Sequence, residues 1–305
     1  MKWNKLGLVF SQSGSNDWKK NSALTPTPIL LNEDVIRVYA GFRDEEGISR
    51  IGYVDVSAHD PTQVLGVSEA PVLDRGRDGC FDDNGVILGD VVKYGGILRM
   101  YYVGFQLVKR AKFLAFTGLA ESTDGGLTFQ RISEAPVMDR ANGGTTIRAI
   151  HSVLFEKGVW KVWYAVGDSW QLIKEKHYPN YNIWYTESAD GVLFTASELL
   201  CIDVEGDEYR IGRPSVYKHD DKYYMFYTKG GISGEDYFPG VAISEDGKNW
   251  VRKDQDFGLQ LSEEGFDSVH LCYPRLVVVK DRTYCFYNGN NMGADGFGVA
   301  ELLEW

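Results

Sequence analysis

Residues 152–167, SVLFEKGVWKVWYAVG, contain an apolar run beginning at Ser152 and a second that closes on Tyr164, and this pair recurs along the chain. PILL from Pro28, DVV from Asp90, SVLF from Ser152, PSVY from Pro214 and PRLVVV from Pro274 start 62, 62, 62 and 60 residues apart. A tyrosine ends the second run each time: Tyr39, Tyr102, Tyr164, Tyr227 and Tyr287. Two registers agreeing five times mark an internal repeat, the sequence signature of a radial or stacked architecture.

A third run follows in every unit: RIGYVDV, FTGLAES, NIWYTES, GVAISED and GFGVAEL. Three units then carry S-x-D-G before an aromatic, from Ser122 to Phe129, Ser188 to Phe194 and Ser244 to Trp250. Asp-Gly is hairpin chemistry, because glycine supplies the positive φ and aspartate bonds the turn backbone. Each unit therefore reads as four antiparallel strands. Repeated radially, such units form a propeller, which leaves only short, protected sheet edges. The expected architecture is all-β, a single five-bladed β-propeller with blades at about 24–75, 82–138, 146–203, 208–255 and 264–305. The last unit ends after its third strand, so the N-terminal KWNKLGLVF is expected to close the ring, with residues 3–10 as that blade's outer strand. A β-sandwich shares the short strands and glycine turns but gives no reason for the period. The insertions QLVKRAKF after Gln106 and SWQLIKEKHYPNY from Ser169 read as loops over one face, where binding sites usually form.

Composition narrows the function. With 34 glycines, 18 Tyr, 15 Phe and 8 Trp, the chain is rich in turns, strand formers and rings able to stack on sugars. A net charge of -11 opposes nucleic acid and anionic membranes, so neither is an expected partner. No apolar segment is long enough for a signal-peptide core or membrane span, and the expected location is the cytoplasm. Cys80, Cys201, Cys272 and Cys285 show no metal-binding spacing, and no cofactor or metal is expected.

The strand, tyrosine and S-x-D-G pattern resembles the five-bladed glycosidases, notably glycoside hydrolase family 43 and its relatives. The segment from Glu263 to Leu302 is similar to the closing blade of glycosidase-like proteins associated with surface-polysaccharide biosynthesis. The resemblance implies sugar chemistry. It also implies an Asp, an Asp and a Glu beside the first, third and fourth inner strands, where this chain has Thr27, His151 and Gly212. Glycoside hydrolysis usually needs two carboxyl groups, so other residues must supply them if the chain is a hydrolase.

Polar residues before the repeat starts are the candidates for the channel mouth. Asp83 and Asp267 each lie seven residues before a start and could serve as an acid and a base, with Glu208 a third carboxylate. Each could equally cap a loop. Arg148, Arg210, Arg213 and Arg275 are candidates for holding an anionic sugar, or else pair internally with Asp82, Asp90, Glu208 or Asp267. His151, His270 and Tyr273 could bond sugar hydroxyls, and Trp170 with Tyr178, Tyr181 and Tyr237 could stack on a ring or pack their own loops. The four residues Asp83, Arg148, Arg213 and Asp267 are expected in one pocket. Two functions remain open at this level. One is a glycosidase-like enzyme acting on a glycosidic or glycosyl-phosphate bond of an anionic sugar or sugar nucleotide. The other is a non-catalytic carbohydrate-binding or scaffold propeller. The sugar, its linkage and the oligomeric state are not legible.

Overall fold

The computed structural model describes residues 1–232 and 237–305; residues 233–236 of the expected fourth blade lie outside them. Five antiparallel sheets follow one another. Their inner strands are Lys19–Leu30, Val86–Tyr94, Ile147–Glu156, Glu208–His219 and Cys272–Val279. Each inner strand touches the next, and the fifth touches the first, so the ring is closed around a central channel. The fold is a five-bladed β-propeller.

Closure comes from the N-terminus. Lys2–Phe10 pairs antiparallel with Phe297–Glu304, from Lys2 opposite Glu304 to Phe10 opposite Phe297. Val9 then joins a core shared by the first and fifth blades with Ile36, Val54, Tyr284 and Phe286. The Lys5 ammonium also reaches inward to Asp267, 2.6 Å away, which is only 2% exposed.

Adjacent blades are fastened at the S-x-D-G turns. In each turn the Ser hydroxyl accepts the glycine N–H, at Gly126, Gly191 and Gly247. The Asp carboxylate accepts two further N–H groups beyond it. The turn glycine's carbonyl is thereby presented to the preceding blade. Tyr39 Oη donates to Gly126, Tyr101 Oη to Gly191 and Trp163 Nε1 to Gly247, at 2.7–3.0 Å. These three donors are buried and 62 residues apart, so the sequence period reflects this joint directly.

One expectation is corrected. The insertion from Ser169 is no loop, because Val159–Ile173 and Lys176–Ser188 continue as a ladder out to Ile173 opposite Lys176. Its tip is a two-residue turn with Lys174 and Glu175 both at positive φ, 47° and 66°. That is the geometry usually signalled by Asn-Gly; without it the hairpin was invisible in the sequence.

Removing residues 2–10 exposes the edge of Phe297–Glu304 and is expected to abolish a cooperative melting transition. Lys5→Met is the sharper test. It strands a buried carboxylate and is expected to cost about 3–5 kcal/mol in urea unfolding, whereas Lys2→Met, on an exposed pair, should change stability by less than about 1 kcal/mol. Equal effects of the two would contradict this closure.

Candidate functional site

Every inner strand is irregular at one level. The pairing register shifts between Leu24 and Thr27, Leu88 and Asp90, Ile150 and Ser152, Gly212 and Ser215, and Cys272 and Arg275. A bulge bends the strand and re-aims a side chain. The residues at these levels are Thr25, Gly89, His151, Arg213 and Tyr273. Thr25, Arg213 and Tyr273 hold φ of 54°, 54° and 59°, a left-handed backbone that a bulky residue adopts only when its surroundings enforce it.

The channel is crossed by guanidinium groups. Arg275 donates to the carbonyls of Gly89, at 2.6 Å, and His151, and pairs with Asp90 at 3.2 Å. Arg213 donates to the Leu88 carbonyl at 2.7 Å and lies over the Tyr273 ring, 5.1 Å from its centroid. Among the described residues Arg213 has no carboxylate partner. Burial, with the like charge of Arg275 beside it, pulls its pKa down to about 10, still charged at neutral pH. The same burial, with Arg213 and Arg275, drives the His151 imidazole well below its ordinary value, and its Nδ1 is buried without a hydrogen bond.

Aromatic rings surround this charge. Tyr237, at φ 62°, sits 5.6 Å from Tyr273 edge to face. Arg210 is buried with its guanidinium 4.0 Å from the Tyr237 centroid and 4.7 Å from that of Tyr209. Tyr181 packs against Gly212, where a Cβ would lie 2.6 Å from its ring. Burial raises the pKa of Tyr181, Tyr237 and Tyr273, keeping all three as neutral phenols.

The other candidates are held by contacts of their own. Asp267 accepts from Lys5 and from Tyr287 Oη at 2.9 Å. Glu208 is held by Arg252 at 2.7 Å and Lys229 at 3.3 Å; although burial pushes its pKa up, these cations and the Glu205 N–H keep it below the ordinary carboxylate range. Arg148 pairs with Glu198 and donates to the Asp139 carbonyl. Asp82 pairs with Arg131 at 2.7 Å beneath Tyr102. An acid, a base and the repeated tyrosine thus meet in four blades, binding each blade's outer edge to its inner strands. Asp83 is half-buried, one oxygen accepting the Gly79 N–H at 3.0 Å. His270 Nδ1 accepts the Asn291 N–H, and Trp170 packs edge-on to Phe113. Among the described residues no hydrogen bond or ion pair joins any two of Asp83, Arg148, Arg213 and Asp267. From the candidate set the structure brings together Arg210, Arg213, Tyr273, Arg275, His151, Tyr181 and Tyr237. Tyr209, next to Arg210, went unremarked; the adjacent pair Tyr209-Arg210 at the head of an inner strand was its one available signal. Among the described residues no three His, Cys, Asp or Glu side chains are grouped as metal ligands, and no helix is long and apolar enough to cross a membrane.

No family model matches the chain. The uncharacterized proteins MT1551 and Rv1502, from Mycobacterium tuberculosis strains CDC 1551 and H37Rv, are each 31% identical to it over 303 residues, covering 99% of both chains. Solved structures share the fold at lower identity. A complex of BT0996 with RGII superposes with a TM-score of 0.73 at 19% identity, covering 97% of this chain and 90% of that one. A thermostable family-43 glycoside hydrolase gives 0.69 at 17% identity, covering 94% and 91%. A structure from the GH130 family, described as mannoside phosphorylases that include glycoside hydrolases acting on β-1,2 mannosidic linkages, gives 0.70 at 16% identity, covering 98% and 93%. The propeller-glycosidase resemblance in the sequence is met by these structures at the level of the fold.

The site's electrostatics can be read from His151. A depressed folded pKa means that the unfolded chain takes up the proton first, near pH 6.5, so this residue's share of stability is lost as pH falls from there toward the lower folded value. In a proton NMR titration the His151 ring is expected to stay neutral well below the ordinary histidine midpoint, because burial and the charges of Arg213 and Arg275 oppose its protonation. A midpoint near 6.5 would contradict the packing of Arg213 and Arg275 against it.

Proposed function

Since the chain belongs to the same family as the mycobacterial proteins MT1551 and Rv1502 and has the fold of the propeller glycosidases, we propose that it is a carbohydrate-active protein binding an anionic sugar or sugar nucleotide at its channel mouth. The observation that carries this reading is Arg213. A guanidinium drawn into a channel, without a carboxylate among the described residues, loses hydration that an anionic ligand can replace. Its left-handed backbone, shared with Tyr237 and Tyr273, fixes the group in place before any ligand arrives. The neutral phenols offer hydrogen-bond donors and apolar faces, the usual pairing in sugar recognition. The similarity of the last blade to polysaccharide-associated proteins makes acidic surface-polysaccharide fragments the first ligands to try.

A second reading, cleavage of a glycosidic or glycosyl-phosphate bond, is favoured by Asp83, whose remaining oxygen accepts no bond among the described residues. It is weakened by the commitment of Asp267 to Lys5 and of Glu208 to Arg252, since two available carboxyl groups are the usual requirement. Binding without hydrolysis is therefore the reading best supported.

Calorimetry with glucuronic acid, acidic oligosaccharides and sugar nucleotides tests both. Arg213→Met is expected to lower affinity at least tenfold, about 1.4 kcal/mol, and Tyr273→Phe less. Asp83→Asn should leave affinity unchanged. Unaltered binding in Arg213→Met would sink the proposal, and turnover lost in Asp83→Asn would establish the enzyme instead.

A further inference from the structure

A cavity of about 250 Å³ opens between the third and fourth blades, beside the channel. Gly167 in its lining lets two strands of the third blade approach closely: a Cβ there would lie 2.4 Å from the Asn180 carbonyl oxygen. The ladder shifts register between Val166 and Ser169, and the extended hairpin rises beyond the hollow that results.

The chemistry of the lining differs from that of the mouth. Among the described residues no lysine or arginine lines the cavity. The Asp168 side chain is exposed and has neither a hydrogen bond nor an ion pair among the described residues. Asn180 Oδ1 is buried without a partner, while its Nδ2 donates to Ser169 Oγ at 3.0 Å. Behind them Trp184 Nε1 donates to Asn182 Oδ1 at 2.7 Å, and Asn182 Nδ2 donates to Asp203 Oδ1 at 3.0 Å, so this wall is already oriented. The buried Asn180 Oδ1 calls for a donor, and a hydroxyl group supplies one without bringing an anion against Asp168. The Trp184 side chain in the same lining adds an aromatic surface. The volume lies below the roughly 300–1,000 Å³ of pockets for drug-sized ligands, which suits a single sugar ring.

Tyr181 and Tyr209 connect this cavity to the residues of the channel mouth. Tyr181 lines the cavity, and Gly212, immediately before Arg213, lets its ring lie against the inner strand. We infer that the cavity is a second subsite for an uncharged, hydroxyl-rich sugar unit, so that the ligand is an acidic sugar joined to a neutral one. This rests on the anionic reading of the mouth for its other half.

The test is a printed array of acidic and neutral glycans, then calorimetry on the retained glycan and on its acidic monosaccharide. Wild type, Arg213→Met, Asp168→Ala and Asn180→Ala are compared, with melting temperatures as folding controls. The expected result is at least tenfold tighter binding of the acidic-neutral pair than of the acidic monosaccharide. Asp168→Ala and Asn180→Ala should each remove much of that gain while leaving monosaccharide binding intact. If the pair and the monosaccharide bind alike, and both variants match wild type, the subsite is overturned and the mouth stands. Retention of neutral glycans alone, lost in Asn180→Ala and kept in Arg213→Met, would preserve the subsite and overturn the anionic mouth. Retention of no glycan would overturn both.

Discussion

The bulge repeated in each inner strand is the constraint from which the rest of the molecule follows. It breaks the ladder at one level of the channel, and the backbone groups around it must find partners outside their own blade. They find them in the neighbouring blade. Asp90 accepts the Val153 N–H, Ser152 accepts that of Val216, and Tyr217 accepts that of Leu276. Thr117, Thr228 and Asn288 accept those of Ile150, Tyr273 and Thr25. The latches joining the blades and the side chains lining the channel thus share one origin.

That arrangement concentrates positive charge in an acidic protein. Asp90 illustrates the balance: burial pushes its pKa up, opposed by Arg275 and by the N–H groups of Val153 and Val91. Arg275 is held by that carboxylate and two carbonyls, and Arg148 by Glu198. Among the described residues Arg213 has the Leu88 carbonyl and the Tyr273 face, and no carboxylate. On the proposed function, a channel whose cations are unequally satisfied would direct an anion to the least satisfied one, and the tyrosines around Arg213 would supply contacts for a sugar.

The period was legible because it records joints that recur: Tyr39, Tyr101 and Trp163 each meet an S-x-D-G turn one blade on. Ring closure was legible from the missing outer strand. What those residues do besides was not, since Lys5 and Asp267 are 262 positions apart and nothing local links them. Equal spacing from the repeat starts suggests that Asp83 and Asp267 stand at one level; their partners, a turn amide for one and a lysine of the outer strand for the other, were not legible, because spacing does not fix what a loop side chain bonds. Arg213 and Tyr273 lie at the bulges of two inner strands, and the structure places them together.

The most direct measurement of the central claim is a crystal structure of the intact protein grown with an acidic glycan. The account requires the ligand's carboxylate or phosphate within hydrogen-bonding distance of the Arg213 guanidinium, between Tyr237 and Tyr273. Ordered ligand seated elsewhere, at the Asp83 loop for instance, with Arg213 still bonded only to the Leu88 carbonyl, would contradict it.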